Sequence, residues 1–187
     1  MDSTSDNALM VKVREGQLEK LGLLFERYNR RLYGFFYRLT GRMDVSEDLV
    51  QEVFERIIKY RHTYTGEGSF STWIFQIARN LQADHYHRQS RRNQVEQAFE
   101  DESPNLEKPE TTVLTMENRQ QQLLEEALNR LSPEKKETLI LSRYHGFKYS
   151  EIAEITDSSV SAVKVRIFRG IRELKEIVSE LNKKEEI

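Results

Sequence analysis

Apolar residues return every three or four positions along most of the chain, and the long interruption of that rhythm lies at residues 93–115. A three-to-four repeat gathers apolar side chains on one face of an α-helix, and each such face must be buried against a neighbour. Glycine and proline, which break helices, number only eight and three among 187 residues. The expectation is an all-α chain. A chain of this length buries one moderate core or two small ones, and the interruption favours two small helical domains, 1–92 and 116–187. Between them, Pro104 and Pro109 stand among Glu96, Glu100, Asp101, Glu102, Glu107 and Glu110, with Lys108 as counterweight. That composition cannot bury enough apolar surface to offset its ordering entropy, so 93–115 reads as a flexible acidic linker.

The second domain carries the sharpest pattern. Ile152, Ala153 and Ile155 mark a short helix with Ser150 as its cap, and residues 156–159 break it: Asp157 suits a left-handed turn and Ser159 suits the next N-cap. In the helix that restarts, Val160, Val163, Ile167, Ile171 and Leu174 share the core side. Ser161, Lys164, Val165, Phe168, Arg169 and Arg172 point elsewhere. This is the layout of a DNA-reading helix-turn-helix: Lys164 and Arg169 suit guanine edges or phosphates, Val165 and Phe168 a thymine methyl or sugar, and Arg166 backbone phosphate. A surface helix with solvated cations has the same pattern. Upstream, Leu123, Leu124, Ala127, Leu128 and Leu131 make one helix, and Ser132, Pro133 and Glu134 open the next, with Leu139, Ile140, Leu141 and Tyr144 on its buried side.

The first domain opens with two helices broken at Gly16, anchored by residues that include Leu18, Leu24 and Phe25 and then by Tyr28, Leu32, Phe35, Phe36 and Leu39. Asp44 and Glu47 have capping-box spacing for a third helix ending near Tyr60. Leu49, Val50, Val53, Phe54, Ile57 and Ile58 form its apolar stripe, and Glu47, Asp48, Gln51, Glu52 and Glu55 fill the rest; an acidic face of that kind is either a docking surface or merely solvated. A loop with Tyr64, Gly66 and Gly68 follows. In the next helix Phe70, Trp73, Ile74, Ile77, Ala78 and Leu81 face inward, while Gln76, Arg79, Asn80, Asp84, His87 and Arg88 lie opposite, with Arg91 and Arg92 completing a basic end. Rings, amides and cations together suit single-stranded nucleic acid, although Trp73 serves equally well as core and the arginines as partners of a helix dipole.

Several classes are excluded. Without cysteine there is no disulfide, thiol chemistry or cysteine zinc site. His85 and His87 point in different directions on a helix, so with His62 they make no metal site. No nucleophile, base and ligand set converges, so neither catalysis nor a cofactor is expected. No apolar run reaches membrane-spanning length and the first residues are not signal-like, so no membrane insertion and a cytoplasmic location are expected. The net charge of −2 conceals strongly segregated charge.

Taken in order, these features resemble the extracytoplasmic-function class of bacterial RNA polymerase sigma factors. Residues 47–54 (EDLVQEVF) resemble the family's polymerase-docking helix and 70–80 (FSTWIFQIARN) its promoter-melting segment. Residues 131–133 (LSP), 149–155 (YSEIAEI) and 163–169 (VKVRIFR) resemble its second domain. The resemblance implies a transcription initiation factor that binds core RNA polymerase through Asp48, Gln51, Glu52 and Glu55. It further implies that a flipped base of the −10 element is held by Tyr60, Tyr64, Trp73, Asn80 and Asp84 beside Arg88. The −35 duplex would be read by Ser161, Lys164, Val165, Arg166, Phe168 and Arg169. The linker would run near the template and RNA path, and an anti-sigma protein would be a partner. Ser158, Ser159, Ser161, Ala162 and Val165 depart from residues common in the family, which leaves the promoter sequence open. The alternative is an autonomous helix-turn-helix regulator with a helical dimerisation domain, which would footprint DNA without polymerase.

Overall fold

The computed structural model describes residues 4–97 and 116–185, and among these the regular elements are eight α-helices and one 3₁₀ turn. Most of the expected linker, 98–115, lies outside the described residues.

Helix α1 (Asp6–Arg14) is capped by Ser5, whose side chain accepts from the Ala8 N–H, and it buries Leu9, Met10 and Val13. The chain turns at Gly16 in the left-handed region, φ 103°, and enters α2 (Lys20–Thr40). Here Leu21, Leu24, Tyr28, Leu32, Phe35 and Phe36 trace the buried stripe, and Gly41 at φ 71° ends the helix by donating to the Tyr37 carbonyl. Helix α3 (Met43–Tyr60) begins one residue before the expected cap. Asp44 is therefore not a cap: it sits in the first turn and pairs with the Arg42 guanidinium at 2.6 Å, which holds its carboxyl below the usual range. A 3₁₀ turn (Arg61–Thr63) and a loop through 69 lead to α4 (Phe70–Gln97), which continues past residue 92.

The second group contains α5 (Met116–Asn129), α6 (Pro133–Arg143), α7 (Tyr149–Ile155) and α8 (Val160–Glu185). Pro133 opens α6 behind Ser132, as expected. Helix α7 starts at Tyr149, so Ser150 is not its cap; the Glu151 carboxylate instead accepts from the Lys148 N–H at 2.7 Å. Helix α8 crosses α6 closely at Gly170, where an added Cβ would stand 3.1 Å from Leu139 Cδ1.

Five residues expected inside are substantially exposed: Leu18, Phe25, Ile58, Tyr144 and Val160. Phe25, Ile58 and Val160 lie at the edge of an apolar stripe wider than the neighbouring helix can cover, while Leu18 sits in the turn before α2 and Tyr144 just past the end of α6. Phe25 keeps an edge contact with Phe54, at 4.9 Å between ring centres.

The two groups pack against each other, α4 on α7 and α2 on α6. Fully buried Phe75 lies 4.9 Å from the Phe147 ring and 5.0 Å from His145, and Phe35 meets the same imidazole. Polar contacts frame these rings. Lys136 Nζ donates to the Leu39 carbonyl at the end of α2 and to Asn129 Oδ1; Gln76 donates to the Glu154 carbonyl at 3.0 Å; Arg79 lies 3.5 Å from Glu137. A lysine at the carbonyl end of α2 also meets the negative end of that helix's dipole.

Candidate nucleic-acid interface

The turn between α7 and α8 is built as the residues require. Asp157 takes φ 48°, the described non-glycine residue with positive φ, and the Ser159 hydroxyl accepts from the Ala162 N–H at 3.1 Å. Thr156 is buried and donates its hydroxyl to the Ile152 carbonyl, closing the shorter helix. With Val163 and Ile167 buried against α6 and α7, the opposite side of α8 is left to solvent. Phe168 is 70% exposed and Val165 47%, and Ser161, Lys164 and Arg169 are exposed beside them. Large exposed apolar side chains among cations are costly in water and suit a surface that another molecule covers. Arg166 is only half-buried and stands near Glu137, whose carboxyl burial pushes up, against the pull of Arg79 and Arg166.

On the other group the expected single-strand residues divide. Tyr60 is exposed, with the Lys59 ammonium 5.3 Å from its ring centre. Asn80, Asp84 and Arg88 are exposed along one side of α4, where Asp84, Arg88, His87 and Arg91 line a shallow cavity. Trp73 is half-buried. Tyr64 requires a correction: it is 2% exposed, its ring meets Trp73 edge-on at 4.9 Å and Phe70 at 6.1 Å, and its hydroxyl has no partner. It is therefore a core residue that supports the loop, and burial pushes its phenol pKa up.

Asp48, Gln51 and Glu55 are exposed on α3 as expected, beside a groove of about 360 Å³ lined by Phe25, Asn29, Arg30, Tyr33, Glu47, Val50 and Gln51. Glu52 is not free in the same way. It lies 3.2 Å from Arg56 and 3.9 Å from Arg88, while Arg56 also reaches Asp84 at 3.2 Å. These four charges join the acidic face of α3 to the basic side of α4. The sequence signal for this tie is the position of Arg56 four residues after Glu52, the spacing of a helical ion pair. Gln76 and Arg79, expected to face nucleic acid, are instead engaged with α7 and α6. Among the described residues no group of three or more histidine or acidic side chains is placed to hold a metal ion.

Residues 24–92, which hold the acidic helix and most of α4, match the family model described as Sigma-70 region 2. Residues 121–174, which span the helix-turn-helix, match Sigma-70, region 4. The chain is similar over most of its length to the ECF RNA polymerase sigma-E factor of Haemophilus influenzae, 29% identical over 90% of this chain and 93% of that one. It is also similar to the ECF RNA polymerase sigma factor BldN of Streptomyces coelicolor, 31% identical over 91% of this chain and 66% of that one. The chain belongs to the extracytoplasmic-function class of RNA polymerase sigma factors. As such it directs RNA polymerase to promoters. The fold of this sigma factor is shared by CnrH in its complex with the cytosolic domain of CnrY, with a TM-score of 0.71, 19% identity and coverage of 95% of this chain and 99% of that one. RpoE of Bartonella quintana, in complex with the anti-sigma factor NepR, gives 0.69, 24% identity, and 86% and 98% coverage. The region 2 match begins within α2, so α1 of this sigma factor stands ahead of it.

Proposed function

We propose that residues 1–92 of this sigma factor dock on core polymerase and open the −10 element, that residues 116–187 read the −35 element, and that 93–115 link them through the polymerase. The observation that carries the reading is the side of α8 left to solvent, where Phe168 and Val165 stand exposed between Lys164 and Arg169. A helix presenting that set enters a major groove, with the arginine and lysine on guanine edges or phosphate and the apolar pair against thymine methyl groups. Arg166, half-buried beside Glu137 of its own domain, contributes a phosphate contact at the edge of that surface.

Asp48, Gln51 and Glu55 form the polymerase contact, with Glu52 holding Arg56 and Arg88 in place. Tyr60, Trp73, Asn80 and Arg88 border the flipped base of the non-template strand, and Asp84 orients Arg56. Flipping costs a few kcal/mol, which stacking and hydrogen bonds on a prepared surface offset. The factor has no catalytic residues and takes no cofactor. It works in the cytoplasm, where polymerase and promoter are; no described helix is long and apolar enough to cross a membrane. An anti-sigma protein is its expected inhibitor, by analogy with RpoE of B. quintana held by NepR.

The decisive experiment is transcription from a promoter library by purified bacterial core polymerase with and without the protein. Transcripts that share two upstream elements are expected, together with a footprint that requires core enzyme. A footprint from the protein alone, with no transcripts, would instead identify an autonomous regulator.

A further inference from the structure

Helix α1 lies ahead of the region 2 match, yet it takes hold of the loop between α3 and α4 at several points. The Asn7 side chain uses both ends of its amide: Nδ2 donates to the Gly68 carbonyl at 2.7 Å and Oδ1 accepts from the Phe70 N–H at 2.8 Å. The orientation follows from the partners, because a flipped amide would set oxygen against oxygen and donor against donor. Arg14 Nη1 donates to the Tyr64 carbonyl at 2.9 Å. Val11 lies under Gly66, at 3.8 Å from where a Cβ would stand. Helix α1 is itself tied to α2 through Asp6, which accepts from Tyr28 at 2.7 Å and from Arg27 at 2.6 Å.

The loop needs such support. Gly66 and Gly68 both adopt positive φ, 83° and 73°, and glycine loses more freedom on ordering than any other residue. Buried Tyr64 anchors the middle of the loop, while Tyr60 stays exposed at its start. A binding surface that must offset base unstacking gains from being ordered before the base arrives.

We propose that α1 is the template for the −10 loop and that Asn7 is a positioning residue for promoter opening, shaping the loop that receives the flipped base without touching DNA. The inference rests on the assignment of that loop to the flipped base. Asn7→Asp separates its two bonds: a carboxylate still accepts from the Phe70 N–H but repels the Gly68 carbonyl. Arg14→Ala removes the second tether independently.

The test uses the full-length protein with core polymerase and single-stranded −10 oligonucleotides of the library-selected sequence, each position varied through the four bases. With Asn7→Asp, discrimination at the most selective position is expected to fall roughly three- to tenfold, the range of one lost hydrogen bond, and Arg14→Ala should do the same. Thermal stability of Asn7→Asp should fall by no more than one hydrogen bond is worth, while core affinity and −35 recognition should stay at the wild-type level. Tyr60→Ala is the reference for the loop itself. If Tyr60→Ala lowers discrimination while Asn7→Asp and Arg14→Ala both leave it intact, the template role is overturned. If Tyr60→Ala also leaves it intact, the assignment of the loop fails, and this inference with it.

Discussion

Arg169 and Tyr64 show how differently two expected nucleic-acid contacts stand in the folded chain. Arg169 is exposed on the solvent side of α8, the side proposed to enter the major groove. Arg169→Ala should cost about 1–3 kcal/mol on the preferred −35 sequence and less on scrambled duplex, measured by competition for the polymerase complex. Equal losses on both would assign it to phosphate. Tyr64 is enclosed by Phe70 and Trp73 with an unpartnered hydroxyl. Removing a buried hydroxyl that has no partner relieves a desolvation cost of roughly 1 kcal/mol or more. Tyr64→Phe should therefore raise the denaturation midpoint slightly and leave −10 binding unchanged; weaker binding would return the hydroxyl to the nucleic-acid surface. Aromatic content marked both tyrosines of this region, but which ring turns inward depends on where Phe70 and Trp73 stand, and residue type carries no such information.

At the scale of elements, the helices were largely legible because each is held by its own periodicity and end signals. Gly16 and the pair Ser132 and Pro133 mark boundaries that the structure keeps. The misplaced starts, at Asp44 and Ser150, are cases in which a good capping residue lies at the second position of the helix rather than before it; Asp44 there bonds Arg42, and at α7 Glu151 takes the capping contact. The close crossing of α8 over α6 was not legible, since Gly170 inside a helix reads as a mild defect until Leu139 is found against it. Gly170→Val should destabilise the second group by about 1–3 kcal/mol, as expected for overpacking a contact that is already tight. Urea unfolding of the full chain would show this; an unchanged midpoint would mean that Leu139 yields freely.

At the scale of the whole molecule, the packing of α4 on α7 and α2 on α6 brings Phe35 and Phe75 together with Phe147 around His145. Its Nε2 is buried without a partner, and burial, with Arg31 and Arg38 nearby, lowers its pKa from 6.5 to about 4. The unfolded chain then takes up this proton at higher pH than the native one. The contribution is fully present above pH 6.5 and is lost as pH falls from there through about 4, in total on the order of 3 kcal/mol. Wild type should lose stability between pH 7 and pH 5 more steeply than His145→Phe in urea titrations. Parallel curves would show that the imidazole is protonated in place. Because this packing engages Gln76 and Arg79, it should also loosen when the −10 and −35 surfaces engage promoter elements more than one duplex turn apart. Fluorescence energy transfer between labels on α2 and α5 would report a drop on adding core polymerase and promoter, and no change would assign the packed form to the bound state.

Local pattern by itself determined the all-helical class, the helix-turn-helix with Asp157 at its turn and Ser159 at its cap, and the side of α8 left to solvent. Those features follow from interactions between residues a few positions apart, and a three-to-four repeat encodes them directly. Tertiary structure alone decided that Tyr64 is core, that Glu52 is tied to Arg88, that Gln76 and Arg79 face the other domain, and that Asn7 grips a loop some sixty residues away. Each of these depends on the angle and distance at which two helices cross, which are set by the packing of both faces together and by no single stretch of the chain.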